Sequence, residues 1–392
     1  MASLYRSLIF LLSIATIQVQ AIKWDVDGIK GGYHQSQPEL QRPTLHADPP
    51  SVRPRLPRPT CMTLEESESY LQIQAIDKHR LFFKREDRYF KSEYHSVGEL
   101  GKGDFGIAHL ATKKSSGLEV VYKIIEKEDV EFYTLESSPP SECHGIKIPT
   151  LYGKHAGARC MSPRPQNLLL PFEVKVQEYL SQPGYGSPHV PRVIDYIVTE
   201  KEYILVMEYY GEDWMDLNRY IMEHGKFSMN EVRLIIKEVV TALVSLRNLG
   251  VLHGDIAARN VLYNDKTGSV KLIDFGLSQL LEGWNQDNSV QAESSDSASG
   301  SSGGKPDSGP AEISDMKDIG DLLYRLLTLK TPPQDSKIPR EEIVEELRNK
   351  LDDFEFQPAV NAVDLVSSLY KCGSYRIATI DDILGNPFFT SQ

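Results

Sequence analysis

Cysteine is scarce in this chain of 392 residues: Cys61, Cys143, Cys160 and Cys372 are the only four, and none stand at the short paired spacings of a zinc site. In an oxidising compartment they allow three pairings, of which Cys143 with Cys160 is the most local. Positive charge is also short. Lys and Arg number 43 against 55 Asp and Glu, a formal charge of −12, which argues against nucleic acid as a partner because phosphate neutralisation needs basic side chains clustered on one face. Long apolar runs are missing as well. Residues 8–17 form the one extended run, too short for a hydrocarbon core of ~30 Å, so no span is expected once that segment is removed. No N-x-S/T sequon occurs, which weighs against passage through the secretory route.

What the N-terminus does contain is Arg6, then that apolar run, then small residues Val19 and Ala21 around a cleavage point. This predicts a signal peptide over 1–21 and a secreted or secretory-lumen location. Residues 22–93 read as a Pro-rich flexible leader and lead-in, with "HADPPSVRPRLPRP" extended and "KHRLFFKREDR" a half-buried helix or strand. At Tyr94 the pattern changes. The run "YHSVGELGKGDFGIAHLATKKSSGLEVVYKIIEK" alternates in short β-branched stretches around a "KKSSG" turn, which predicts three antiparallel strands. Residues 137–167 are too irregular for a core element and read as an insertion.

Beyond it, "LPFEVKVQEYLSQ" predicts a helix stopped by "PGYG", and "HVPRVIDYIVTEKEYILVMEYY" predicts two strands. The rest is helical in pattern, beginning with "DLNRYIMEHG" and a long periodic helix that ends at Gly250. Residues 282–311, rich in Ser, Gly and Asp, hold too little apolar surface to offset the entropy of ordering and predict disorder. A small β-rich half followed by a larger helical half implies an α+β, two-lobed fold with a ligand cleft between the lobes.

The chemistry-bearing residues follow the same order. Gly101, Gly103 and Gly106, with Lys102 among them, lie between two strand-like stretches, so they form a hairpin whose backbone approaches phosphates and not the helix opening of a dinucleotide site. Lys123 sits between "VVY" and "II", where an ammonium needs an anionic partner. Glu173, at the start of the next helix, is the candidate, and Glu178 the rival nearer that helix's end. In "HGDIAARN", Asp255 and Asn260 stand five positions apart, and Asp274 follows in "KLIDFGLS". A carboxylate to accept a hydroxyl proton, an amide oxygen and a second carboxylate for Mg²⁺ are the groups that phosphoryl transfer requires.

Together these residues resemble the protein-kinase signature set from about Tyr94 to the C-terminus. The resemblance implies a two-lobed protein-kinase-like domain over 94–390, with the small lobe at 94–209 and the large lobe at 210–390. Asp315 and Gly320 match the Asp and Gly of the large-lobe helix, and "RIATIDDILGNPFF", with Arg376, matches the family's close. Several stretches, "LPFEVKVQEYLSQPGYGSPHVPRVIDY" among them, are most similar to the Pim-type serine/threonine kinases. The resemblance makes Gly101, Lys102, Gly103 and Gly106 the phosphate lid, Lys123 and Glu173 the activating ion pair, and Asp255 the base. Asn260 and Asp274 become Mg²⁺ ligands. Glu208 and Tyr209, just after the gatekeeper Met207, meet adenine, and Asp216 meets the ribose or a basic substrate residue. It implies ATP and Mg²⁺ as cofactors and a protein substrate.

Three departures stand out. Gly254 replaces the arginine that links this loop to a phosphorylated activation segment in the family. Ala257 replaces the lysine of serine/threonine kinases, leaving Arg259 to supply the charge, in a loop similar to the "DLAARN" of tyrosine kinases. Asp274 and Asp315 stand 41 positions apart, yet no APE motif lies between them; "GPAE", ending at Glu312, is the nearest. Two alternatives to a protein kinase follow: a pseudokinase scaffold with a degenerate activation segment, and a small-molecule phosphotransferase, since "HGD" also occurs there.

Overall fold

The computed structural model describes residues 55–74, 77–103, 106–136, 165, 167–282, 284, 310–332, 356–370 and 379–390, together with 342, 344, 345, 347 and 348. The signal peptide, the leader up to 54, nearly all of the insertion and of the Ser-rich segment, Arg376 and three of the cysteines lie outside these residues. Cys61 is described, as an exposed free thiol.

A five-stranded antiparallel sheet dominates the small lobe. Its strands are β2 (Tyr94–Gly103), β3 (Gly106–Lys113), β4 (Leu118–Glu126), β7 (Val193–Val198) and β8 (Glu202–Glu208), in the order β2-β3-β4-β8-β7. Period-2 alternation gives it two buried faces. On β8, Tyr203 and Leu205 join one apolar cluster with Phe82, Phe83, Leu170 and Val174, while Ile204 and Val206 join another with Tyr94, Val120 and Tyr122. Both faces are covered because structure begins well before Tyr94. Residues 62–93, read above as part of a flexible leader and lead-in, carry β1 (Met62–Thr63), α1 (Leu64–Gln74) and α2 (Asp77–Glu93). Helix α2 is fastened to the sheet where the Tyr89 hydroxyl donates to Asp195 Oδ2 at 2.8 Å, an acceptor it shares with the hydroxyl of Tyr94 on β2 at 2.9 Å.

The strands flanking the insertion, β5 (Phe132–Leu135) and β6 (Leu169–Pro171), pair with each other, and β5 also pairs β1. Helix α3 (Phe172–Leu180) follows β6 directly. It buries Phe172, Glu173, Val174, Val176, Gln177, Tyr179 and Leu180.

The large lobe is built on α4 (Leu217–His224) and α5 (Met229–Asn248). Ser228 and Glu231 close a capping box at the start of α5, through bonds of 3.2 and 2.7 Å. Along α5, Val232, Ile235, Ile236, Val239, Val240, Leu243 and Leu246 recur every three or four residues and are all buried. Each such side chain contributes about 1.5–3 kcal/mol by leaving water. Gly250, at φ +75°, turns the chain from α5 into β10 (Val251–Leu252), which pairs with β13 (Gln279–Leu280), while β9 (Met215–Asp216), β11 (Val261–Asn264) and β12 (Ser269–Leu272) form another small sheet. Helices α6 (Pro310–Thr328), α7 (Phe356–Tyr370), α8 (Ile380–Ile383) and α9 (Pro387–Thr390) complete it. The arrangement is the two-lobed α+β protein-kinase fold.

A strap N-terminal to β1 ties the lobes. The Leu56 amide donates to Gln182 Oε1 beyond α3 at 2.7 Å, and Arg58 Nη1 donates to the carbonyls of Leu281 at 3.0 Å and Gly250 at 3.3 Å. The Arg58 guanidinium also lies 5.0 Å from the Trp284 ring centroid.

Candidate active site

The site is assembled from the small-lobe sheet, helix α3 and the loops of the large lobe. Gly101, Lys102 and Gly103 end β2 and pair with Ala108, Ile107 and Gly106 on β3. At Gly106 the φ is +135°, and a Cβ there would lie 2.1 Å from the Ile124 carbonyl oxygen, so only glycine fits. At Gly101 a Cβ would meet open space within 4 Å.

Lys123 lies on β4 with one neighbour in register on each side, Ala108 and Leu205. Its ammonium is 2.6 Å from Glu173 Oε1 on α3 and 2.9 Å from Asp274 Oδ1. All three side chains are at most 13 % exposed. Burial works against the charge on Lys123, but the carboxylates of Glu173 and Asp274 outweigh it and hold its pKa above the usual lysine range. Burial pushes Glu173 up, against the pull of Lys123. The rival Glu178 pairs instead with Lys175 on the same helix. Asp274 itself adopts φ +67°, a left-handed conformation uncommon outside glycine, which turns the chain between Lys123 and the buried ring of Phe275.

The catalytic-loop candidates lie close together. Asp255 accepts from Arg259 Nη2 at both carboxylate oxygens, 2.9 and 2.8 Å, and from Asn260 Nδ2 at 2.7 Å. Asn260 Nδ2 also donates to the Asp255 carbonyl at 2.9 Å. With its nitrogen so used, Asn260 offers its amide oxygen, and with the Asp274 carboxylate this makes the donor set that suits a hard divalent cation; Mg²⁺ takes one or two protein carboxylates plus substrate phosphates, not a full protein cage. The described residues contain no cluster of three or more His, Cys, Asp or Glu that would form such a cage.

His253 is fully buried, and burial lowers its pKa to about 4, so the ring is neutral. Its ring lies 5.0 Å from that of Phe275. The loop backbone is held from below by α6, where Asp315 accepts from the His253 amide at 3.0 Å and the Gly254 amide at 2.7 Å. Gly254 has φ +79°, and a Cβ there would lie 2.2 Å from the Leu277 carbonyl oxygen. The missing arginine side chain therefore coincides with a close approach of the two loops.

Two candidates have partners that the sequence did not suggest. Asp216 caps α4, its Oδ1 accepting from the Arg219 amide at 3.0 Å. Glu208 accepts from the Tyr210 hydroxyl at 3.2 Å, and its own amide donates to the Arg192 carbonyl at 3.0 Å. Tyr209 follows directly at the end of β8. Glu312 sits on α6, buried, 2.9 Å from Arg247 Nε, and accepts from the Ile380 amide at 3.2 Å. Sequence reasoning missed Asp318, whose Oδ2 accepts the Ile256 amide at 3.3 Å. No motif marks it; only its place one turn beyond Asp315 hints at a shared face.

A model of the protein kinase domain matches residues 169–389, more than half of the chain. Sucrose non-fermenting protein kinase 1 of Fusarium virguliforme is 26% identical over 299 residues, covering 76% of this chain and 36% of that protein. The carbon catabolite-derepressing protein kinase of Saccharomyces cerevisiae is 25% identical over 246 residues, 63% of this chain and 32% of that protein. Serine/threonine-protein kinase pim-2 of Danio rerio is 26% identical over 206 residues, 51% of this chain and 56% of that protein. The chain thus spans between about a third and just over half of these relatives. They also correct the expected location: relatives of the sucrose non-fermenting and kin1 types are intracellular kinases, which overturns a secreted or lumenal placement with cleavage after residue 21. By fold, by the residues gathered in the cleft and by the domain match, the chain belongs to the protein kinase family.

Proposed function

We propose that the chain is an ATP- and Mg²⁺-dependent protein kinase that transfers the γ-phosphoryl group to a protein hydroxyl, serine or threonine in preference to tyrosine. One observation carries the reading. A single ammonium, Lys123 Nζ, bridges Glu173 at 2.6 Å and Asp274 at 2.9 Å, which joins the small-lobe sheet and helix to the large-lobe loop in the arrangement that phosphoryl transfer needs.

In this reading Asp255 takes the hydroxyl proton, its carboxylate oriented by Asn260 and Arg259. The tyrosine-kinase-like "DIAARN" loop lets Arg259, two positions after Ala257, bring the positive charge that the absent lysine would give. Gly101, Lys102, Gly103 and Gly106 cover the phosphates, and Lys123 meets them. Glu208 and Tyr209 present backbone groups to adenine, and Asp216 reaches the ribose or a basic substrate residue from its capping position. Asn260 and Asp274 would hold Mg²⁺, which when bound neutralises charge on the phosphates. Gly254 offers no guanidinium for a phosphorylated segment, so activity would not depend on such a phosphate.

The test is phosphoryl transfer from Mg-ATP to a mixed peptide library by the purified chain, beside Lys123→Met and Asp274→Ala. Incorporation on Ser and Thr that both substitutions abolish is the expected result. Equal incorporation by wild type and controls, with ATP still bound by the wild type, sinks the proposal in favour of a nucleotide-binding scaffold.

A further inference from the structure

We propose that Asp318 is a positioning residue for the reaction: it holds the backbone amide of Ile256 and thereby fixes the peptide unit that carries Asp255. The inference rests on the protein-kinase reading above.

The geometry is a clamp on one peptide plane. At the carbonyl end, Asp255 O accepts Asn260 Nδ2 at 2.9 Å. At the amide end, Ile256 N donates to Asp318 Oδ2 at 3.3 Å. With both ends held, ψ of Asp255 is fixed, and with it the direction in which the base's carboxylate projects. The next amides back are also accounted for: His253 and Gly254 donate to Asp315, and Asp255 donates to His253 Nδ1 at 3.3 Å. Asp315 and Asp318 are three apart on α6 and so share a face. One helix therefore holds the loop at two points on either side of Asp255.

This chain has a particular need for the second point. Gly254, at φ +79°, lacks a side chain to restrict its own backbone, and glycine carries the most conformational freedom of any residue. Asp315 holds the amides up to Gly254; beyond it, among the described residues, the Asp318 bond is the one that constrains the Ile256 amide.

Asp318 lies in an acidic setting. Asp315 and Asp321 face it from its own helix and Asp255 from the loop. Arg259 engages Asp255, and the Tyr370 hydroxyl donates to Asp321 at 2.7 Å. Burial, then Asp315, raises the Asp318 pKa to about 7. An ionised carboxylate is the stronger acceptor, so the clamp tightens as pH rises through that value.

The test uses the full chain with Asp318→Ala and with Asp318→Asn, which keeps a neutral carbonyl acceptor. Two measurements are made: peptide phosphorylation between pH 6 and 8.5, and amide hydrogen exchange at Ile256, which needs no turnover. Asp318→Ala should lower kcat about tenfold or more with both KM values within twofold, in line with the cost of a misplaced reacting group, and should speed exchange at Ile256. Asp318→Asn should recover most of the rate and the protection while losing the rise in kcat near pH 7 that the wild type shows. The proposal is overturned if Asp318→Ala keeps wild-type kcat and exchange, or if both variants lose rate only in step with lost thermal stability. Should the wild type transfer no phosphate, the kinase reading fails, and exchange at Ile256 alone decides the clamp: faster in Asp318→Ala upholds it, unchanged refutes it.

Discussion

Replacing Lys123 with Met tests the centre of the site through stability as well as through activity. The substitution keeps an apolar stem of similar length but leaves two carboxylates, Glu173 and Asp274, without the ammonium that each meets within 3 Å in the wild type. Their side chains are 6 % and 13 % exposed, so water screens little of the loss. Breaking a buried pair by removing one partner costs about 3–5 kcal/mol. Proton uptake limits that cost. Burial already raises the Glu173 pKa in the presence of Lys123, and removing Lys123 raises it further. A group whose folded pKa lies above its unfolded value favours the fold at low pH, and that contribution is lost as pH rises through the folded pKa. In the variant the loss continues to higher pH than in the wild type. The stability gap between them should therefore widen with pH, by up to about 1.4 kcal/mol per unit between the two folded pKa values. Urea unfolding followed by tryptophan fluorescence at pH 5.5 and pH 8 measures it. A gap below about 1 kcal/mol at pH 8, against the 3–5 kcal/mol expected, or one equal at both pH values, would refute the electrostatic account of the triad.

Three further outcomes are expected. Gly254→Ala places a Cβ 2.2 Å from the Leu277 carbonyl oxygen at φ +79°, and should cost about 2–4 kcal/mol in the same unfolding assay from left-handed strain and overpacking; an effect under about 0.5 kcal/mol would show that the two loops separate freely. Arg58→Ala removes two bonds to the carbonyls of Gly250 and Leu281 and should cost about 1–3 kcal/mol. It should also change Trp284 emission, read against a Trp284→Phe control. Glu312→Ala strands the Ile380 amide and, among the described residues, leaves Arg247 paired with Asp381, at about 2–3 kcal/mol, whereas Glu312→Gln, which keeps an acceptor for Ile380, should cost less; equal losses would remove the role given to that bond.

How far the sequence could be read depended on the range of each interaction. The strand carrying Lys123 shows in its β-branched neighbours, and the seven apolar positions of α5 show in their helical spacing, because both patterns repeat within a few residues. Residues 62–93 were legible only in part: "KHRLFFKREDR" carries helix-compatible spacing, but that Phe82 and Phe83 cover one face of the sheet depends on strands more than 100 residues downstream. Arg58 reads as one basic residue in a Pro-rich stretch, and its two carbonyl partners are 192 and 223 positions away.

The sequence by itself determined the two-part order of strands and helices, the glycine hairpin and the residue types that a phosphoryl-transfer site needs, since each is set by local propensity or by a short motif. It also marked Gly254 as unusual. Only the tertiary structure decided what that glycine accommodates, a carbonyl of the neighbouring loop, and that a second aspartate of α6 holds the peptide after Asp255. Those contacts arise when α6 packs beneath a loop some 60 residues earlier in the chain, and no pattern within either segment records the distance between them.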